Sequence, residues 1–270
     1  MILLESELEE AGYFQIKGDL ARLACVQRLF ADTYTFENLD VLLGRNHKLN
    51  EAQLTEKILV KRRGGLCYEL NGALYLVLKS LGFDVTIAAA TVWSESGWII
   101  DRTHTVILYY KNDNMYMLDS GSGSNLALQP LQLDGSAVSA PSGVFRLRTE
   151  TTERGTIVSE KKGPDGWILR YAFEPVEVGF DDINRIKKMI HHHPESPFNR
   201  SLLIAKTTAD GTISINNERL SKKWIGKSGQ VVKEERIEFK DHEHLLKCIE
   251  PIVSEATYEA VAAYTTISHE

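Results

Sequence analysis

Residues 62–83, RRGGLCYELNGALYLVLKSLGF, restrict the fold of this 270-residue chain more than any other stretch. Leu70, Leu74, Val77, Leu78 and Leu81 recur at helical spacing as one apolar stripe, and Gly82 follows as a natural left-handed helix end. The spacing predicts a buried helix over about residues 66–81. Gly64 and Gly65 precede it, and their missing Cβ atoms allow a tight approach into its first turn. A helix this apolar has to lie inside a domain with other elements packed around it.

Those elements are readable from changes of period. After Gly18, DLARLACVQRLFAD places Leu20, Leu23, Val26, Leu29 and Phe30 at helical spacing, and EAQLTEKILVKR repeats the theme with Leu54, Ile58 and Leu59. The first 80 or so residues therefore read as helical. From Val85 onward TIAAATVW, HTVILYY and NMYML are short, β-branched or aromatic, and broken by Gly, Asn and Asp, which reads as an antiparallel sheet. Further strands are expected at Gly143–Arg148, Gly155–Val158 and Trp167–Phe173, spaced like a barrel or a strongly curved sheet. After PESPF, the segments SLLIAKT, GTISINN and GQVVKEERIEF suggest three more strands, ahead of a final amphipathic helix from about His242 to Ile249.

Composition excludes several classes of function. With 43% hydrophobic and 25% charged residues the chain is an ordinary globular one, and 31 basic against 37 acidic residues give a net charge of −6, so no positive field invites nucleic acid. The opening MILLESELEE lacks a basic segment and a cleavage pattern, and no run of 18 apolar residues occurs, so neither secretion nor membrane insertion is expected and the cytoplasm is the default. Cys25, Cys67 and Cys248 are too few for a disulfide framework, which leaves a chemical role for cysteine. Cys25 sits within an apolar helix and reads as a small core thiol.

Cys67 falls in the first turn of the predicted helix, where unpaired N–H groups and the helix dipole favour thiolate and could stabilise an oxyanion. A buried, inert cysteine fits the same placement. A nucleophilic thiol needs a base, and the histidines sort by context. His191, His192 and His193 run beside Pro194 and read as a solvated loop; His47 and His269 look like surface positions. His242 and His244 with Cys248 do not make a zinc site without a CxxC partner, and no metal is expected. His104 remains.

His104 opens HTVILYY, and KNDN leads into NMYML and Asp119, which reads as a β-hairpin. With the turn centred on Asn112 and Asp113, facing residue numbers sum to 225, so Gly121 faces His104 and Asp119 lies one diagonal step away on the same face. An odd-length loop would put Asp119 on the other face. In the favourable register His104 can take the proton of Cys67 while Asp119 orients the ring, although ordinary polar pairing on neighbouring strands is the plainer alternative.

These residues match a known family. RGGLCYELN resembles the RGGxCxExN signature of the arylamine N-acetyltransferases, TFENLD (Thr35–Asp40) resembles their PFENLD segment, THTVIL their THxxxL segment, and MYMLDSGSG their LVDVGFG segment. WILRYAF and HHHPESPF are similar to the family's tryptophan-containing strand and to the SPF segment before its third domain. The resemblance covers nearly the whole chain. It implies an α+β fold with a papain-like catalytic core: a helical bundle (1–84) carrying Cys67, an antiparallel β-barrel (85–190) carrying His104 and Asp119, and a smaller α/β lid (191–270). It makes Cys67 the acyl-accepting nucleophile, His104 the base and Asp119 the orienting carboxylate. Thr103 and Ser122 become substrate-binding candidates, and Arg63 is expected to pair with Glu37 as a structural link.

The activity so implied moves an acetyl group from acetyl-CoA, a co-substrate, through a Cys67 thioester to the nitrogen of an arylamine or arylhydrazine, by ping-pong kinetics. The chain departs from the family at Thr35 (usually proline), Leu66 (usually aromatic), and Ser120 and Ser122, which replace Val and Phe. Acceptor preference is therefore open, as are the groups that hold the CoA phosphates and whether the chain forms a homo-oligomer. Two competing readings share the residues: a papain-like hydrolase or transglutaminase acting on peptide amides, and a degenerate paralogue that binds small aromatic or acyl ligands without turnover.

Overall fold

In a computed structural model that describes residues 3–267, α1 (Glu5–Glu10) and α2 (Asp19–Thr33) lead to a short strand β1 (Phe36–Glu37). Then come α3 (Leu39–Leu42), α4 (Glu51–Leu54), a π-helical stretch (Thr55–Val60) and α5 (Cys67–Ser80). The strands β2 (Val85–Ser94), β3 (Gly97–Trp98), β4 (His104–Lys111), β5 (Asn114–Leu118) and β6 (Leu131–Gln132) follow. After β7 (Val138–Ala140), three long strands β8 (Gly143–Thr152), β9 (Gly155–Gly163) and β10 (Gly166–Glu177) precede α6 (Phe180–His192). The chain ends with β11 (Ile204–Thr208), β12 (Gly211–Ile215), β13 (Arg219–Ile225), β14 (Val231–Glu238), α7 (His242–Ile249) and α8 (Glu255–Ile267).

The larger sheet has the order β6-β5-β4-β2-β10-β9-β8-β7, and a bridge from Leu133, beside β6, to Leu147 of β8 brings it nearly to closure as an antiparallel barrel. Its two faces follow the period of the strands. Val85, Ile87 and Ala89 of β2 and Ile107 and Tyr109 of β4 pack with the α5 residues Leu70, Leu74 and Val77, whereas Ala88, Ala90, Val106 and Leu108 fill the barrel with Phe145, Tyr171 and Phe173. Both faces are buried, which is why these strands read as nearly continuous apolar runs. The fold is thus α+β.

The turn between β4 and β5 has two residues, Asn112 and Asp113, with φ of 49° and 62°, the left-handed pair that a tight hairpin requires. Lys111 faces Asn114 and Ile107 faces Leu118, so the expected register holds. α5 spans the expected helix, and Gly82 closes it at φ 84°.

Other expectations need correction. His191 and His192 close α6 rather than forming a solvated loop, and His191 is buried with Nε2 3.1 Å from the Tyr68 hydroxyl. Burial, aided by Lys187, pushes its pKa down to about 4, so the ring is neutral. The helix itself carries Phe180, Ile183, Ile186 and Ile190 at helical spacing, and these pack onto the α5 core. The final helix is α8, not α7, and a fourth late strand, β13, lies between GTISINN and GQVVKEERIEF. β1 is extended within a region read as helical because it pairs with β11, Phe36 facing Ala205, at the edge of the second sheet, β1-β11-β12-β13-β14. Leu20 is 37% exposed and lies outside the core. His269 lies outside the described residues.

The entry to α5 is held by buried charges. Arg63 Nη2 lies 2.7 Å from Glu37 Oε1 and 3.0 Å from Asp40 Oδ1, so the expected Arg63–Glu37 pair forms, and Lys57 Nζ lies 2.8 Å from Asp40 and 2.6 Å from Glu69. Burial alone would raise the Asp40 pKa, yet Lys57 and Arg63 bring it down to about 2. Glu69 also accepts the Leu66 N–H at 3.0 Å, which fixes the first turn. Replacing Arg63 with Met leaves the fully buried Glu37 carboxylate without its counter-charge. We expect a stability loss of about 3 kcal/mol by urea denaturation, and an unchanged midpoint would contradict the role given to the pair.

Candidate active site

Cys67 stands at the first position of α5, after the helix-capping residue Leu66. His104 begins β4, and Asp119 immediately follows β5, so the hairpin register sets both at one end of the sheet. The helix start meets this end closely, because a Cβ on Gly121 would lie 2.6 Å from the Cys67 Cα. Glycine is what permits the contact. Cys67 Sγ lies 3.4 Å from the Thr103 carbonyl, and the Thr105 hydroxyl donates to the Cys67 carbonyl at 3.1 Å.

Asp119 is 7% exposed and its carboxylate is saturated with donors. Oδ1 accepts from Asn71 Nδ2 at 3.0 Å and from the Gly121 N–H at 2.8 Å. Oδ2 lies 3.0 Å from His104 Nε2 and accepts from the Ser122 hydroxyl at 2.6 Å and the Tyr171 hydroxyl at 2.9 Å. The Tyr171 ring also packs on the His104 ring, centroids 4.9 Å apart. Sequence reasoning named neither Asn71 nor Tyr171 as site residues, although Asn71 ends the RGGLCYELN segment and Tyr171 lies in WILRYAF.

The charges follow from these contacts. Burial alone would lower the His104 pKa; the facing Asp119 carboxylate and its hydrogen bond, joined by the hydrogen bond with Cys67, raise it to about 10. Burial alone would raise the Asp119 pKa, but the His104 charge, that of Arg170, and the hydrogen bonds hold it well below the usual carboxylate range. The pair is an imidazolium and a carboxylate near neutral pH.

A cleft of about 380 Å³ opens onto Cys67 and His104, and both Thr103 and Ser122 line it. The Thr103 hydroxyl is spent on the Ile100 carbonyl at 2.8 Å, and that of Ser122 on Asp119. Each can therefore offer a ligand only an acceptor lone pair while these bonds persist. Leu66 and Ser120, two of the departures from the family pattern, are buried away from bulk water, and the Ser120 N–H donates to Asn71 Oδ1 at 2.8 Å. Among the described residues no cluster of three or more His, Cys, Asp or Glu could hold a metal ion.

A helix-borne thiol set beside a histidine–carboxylate pair on a barrel end defines an α+β fold with a papain-like core and a candidate cysteine-nucleophile site. Comparison with known proteins narrows the class. A family model for N-acetyltransferases matches residues 19–252. YvcN of Bacillus subtilis, an uncharacterized acetyltransferase, is 38% identical over 84% of this chain and 93% of its own. The arylamine N-acetyltransferase / N-hydroxyarylamine O-acetyltransferase of Salmonella typhimurium is 33% identical over 65% of this chain and 62% of its own. The crystal structure of arylamine N-acetyltransferase C from Bacillus anthracis superposes with a TM-score of 0.80 at 30% identity, covering 92% of this chain and 98% of its own. That of a Bacillus cereus arylamine N-acetyltransferase, described with a Cys-His-Glu catalytic triad, gives 0.79 at 31% identity over 92% and 98%. The chain belongs to the arylamine N-acetyltransferase family.

The His104–Asp119 pair predicts a pH signature. A raised folded-state pKa means that the stabilisation tied to imidazolium is complete below the unfolded value of about 6.5 and is lost as pH rises through about 10. The depressed Asp119 contributes above its unfolded value of about 3.9 and loses that contribution in acid. The urea midpoint of the wild type should therefore fall relative to that of His104→Gln as pH is raised from 6 to 10. Parallel curves would show that His104 is not held as imidazolium.

Proposed function

We propose that the protein is an acetyl-CoA-dependent N-acetyltransferase that carries the acetyl group as a thioester on Cys67. It delivers the group to the nitrogen of an arylamine or arylhydrazine by a ping-pong route. The observation that carries the reading is the His104–Asp119 hydrogen bond of 3.0 Å, with His104 and Cys67 both lining the cleft. Membership of the family and the activity named for the Salmonella relative support it.

In the first half-reaction the Cys67 sulfur, its proton held by His104, attacks the acetyl carbonyl of acetyl-CoA. An Sγ–carbon bond forms, the bond from carbon to the CoA sulfur breaks, and the departing thiolate takes the proton from His104. One thioester replaces another, so the exchange is nearly balanced and asks mainly for an ionised nucleophile and oxyanion stabilisation, for which the N–H groups starting α5 are placed. In the second half-reaction the amine nitrogen attacks the same carbon, the Sγ–carbon bond breaks, and His104 takes up the proton that the nitrogen sheds. An arylamine suits this step because its low basicity keeps its lone pair free near neutral pH. Asp119 holds the ring through both halves.

On this reading residues 1–84 supply the nucleophile, 85–190 the histidine and carboxylate, and 191–270 act as a lid, a role that suits Phe198 and Leu203 on the cleft wall. Thr103 and Ser122 touch the acceptor. The proposal includes a cytoplasmic location, where acetyl-CoA is available. No helix among the described residues is long and apolar enough to cross a membrane.

With acetyl-CoA and isoniazid or an aniline, release of free CoA thiol should be abolished in Cys67→Ala and fall about a hundredfold or more in His104→Ala. Cys25→Ala and Cys248→Ala should stay within about threefold of the wild type, since Cys25 is a core thiol and Cys248 is a half-buried residue of α7, and neither lines the cleft. Transfer undiminished in Cys67→Ala, or cleavage or cross-linking of a peptide amide without CoA release, would refute the reading.

A further inference from the structure

Ser122 stands on the loop after β5, where the family pattern has a phenylalanine, and it lines the cleft together with His104. Its hydroxyl donates to Asp119 Oδ2 at 2.6 Å and lies 3.4 Å from His104 Nε2. The same oxygen accepts from the Tyr171 hydroxyl at 2.9 Å and faces His104 Nε2 at 3.0 Å, so the serine makes the shortest of three bonds to Oδ2. A carboxylate offers about four lone-pair sites, and with Asn71 and the Gly121 N–H on Oδ1 five donors divide them. The histidine therefore shares its carboxylate oxygen with a donor that a phenylalanine could not supply.

The serine is held from both sides. The Asn125 N–H donates to the Ser122 carbonyl at 3.0 Å and closes a turn through Gly123, whose φ of 61° suits glycine. Arg170 Nη2 donates to the Asn125 carbonyl at 2.8 Å, and Lys161 Nζ lies 2.6 Å from Asn125 Oδ1. Two cations thus clamp the far end of the turn, while the Gly121 N–H fastens the near end to Asp119 Oδ1 at 2.8 Å. The hydroxyl is built against the carboxylate.

We propose that Ser122 is a positioning residue of the transfer reaction: its hydroxyl, bonded to Asp119 Oδ2, loosens the hold of that carboxylate on His104, so that the ring can release its proton to the leaving CoA sulfur. The inference rests on the acetyl-transfer reading and deepens it. A donor on Oδ2 stabilises the carboxylate by itself and lessens what the carboxylate gains from a neighbouring imidazolium. The release needs that help, because an ordinary thiol has a pKa of about 8.5, below the value of about 10 to which His104 is raised. With Nε2 facing Asp119, Nδ1 is the atom that exchanges its proton with sulfur. The other groups facing the ring are Cys67 from α5 and, from β10, Tyr171, whose buried hydroxyl stays protonated; the Arg170 charge acts on the ring through Asp119.

The test compares Ser122→Val with Ser122→Thr, two side chains of nearly one shape of which only threonine keeps the hydroxyl. The His104 ring is titrated by NMR in a Cys67→Ala background, where the sulfur no longer contributes to the hold on the ring. Ser122→Val should move the midpoint up by about one unit, a tenfold gain in proton affinity, and Ser122→Thr should leave it within about 0.3 unit of the parent. With Cys67 present and acetyl-CoA as the sole substrate, formation of the acetyl-enzyme at pH 7 should slow about tenfold in Ser122→Val and stay within about twofold in Ser122→Thr. An unmoved midpoint in Ser122→Val, or the same shift in Ser122→Thr, overturns the proposal. If the valine variant does not fold, Ser122→Ala is read in its place, with a smaller rise because water can enter. The titration needs no turnover, so a midpoint that rises in a protein forming no acetyl-enzyme would overturn the transfer reading and leave the action of Ser122 on His104 standing.

Discussion

A buried carboxylate survives only when donors surround it, and the five donors around Asp119 tie the molecule together. Asn71 brings α5, His104 the start of β4, Gly121 and Ser122 the loop after β5, and Tyr171 the facing strand β10. The bonds that satisfy the charge are the bonds that press a helix start against a barrel end. Site and fold are in this sense one construction, for the carboxylate that orients the histidine is also the joint between the two layers.

That joint explains which features the sequence made legible. The apolar stripe from Leu70 to Leu81 can be satisfied only by burial on several sides, so α5 was visible from period alone. The two-residue turn at Asn112–Asp113 fixed the hairpin register and with it the shared face of His104 and Asp119. Tyr171 and Asn71 stayed hidden because their partners lie 52 and 48 positions away in the chain, and no local pattern encodes such a pairing. His191 misled for a related reason: a run of three histidines looks solvated, yet the first faces Tyr68 across an interface made by α6, whose own apolar residues at 180, 183, 186 and 190 follow a clear helical period. α8 is rich in alanine and threonine and offers little contrast between faces, and it packs through Ala260 and Val261 onto the core around Leu39, Ile204 and Leu220. β13 alternates weakly because Leu220 and Ser221, on opposite faces, are both buried and the residues after them are half-buried on either face.

Charge is distributed to match this division of labour. Behind the thiol, Glu37, Asp40, Lys57, Arg63 and Glu69 compensate one another and fix the first turn of α5. In front of it, Arg170 lines the cleft, and no ion pair among the described residues engages it. Of the departures from the family pattern, Ser122 falls on that same side. Ser122 hydrogen-bonds to Asp119 where the family has an aromatic ring, so its replacement alters the acceptor's surroundings and leaves the His104–Asp119 bond intact.

The central claim is that one sulfur, on Cys67, is the covalent carrier of the acyl group. Its most direct measurement is the mass of the intact protein after mixing with acetyl-CoA alone, followed by peptide mapping. The account predicts a single acetyl group on the peptide containing Cys67, removed again when an arylamine is added. An unmodified protein, or an acetyl group stably held on a lysine while Cys67 stays free, would contradict it.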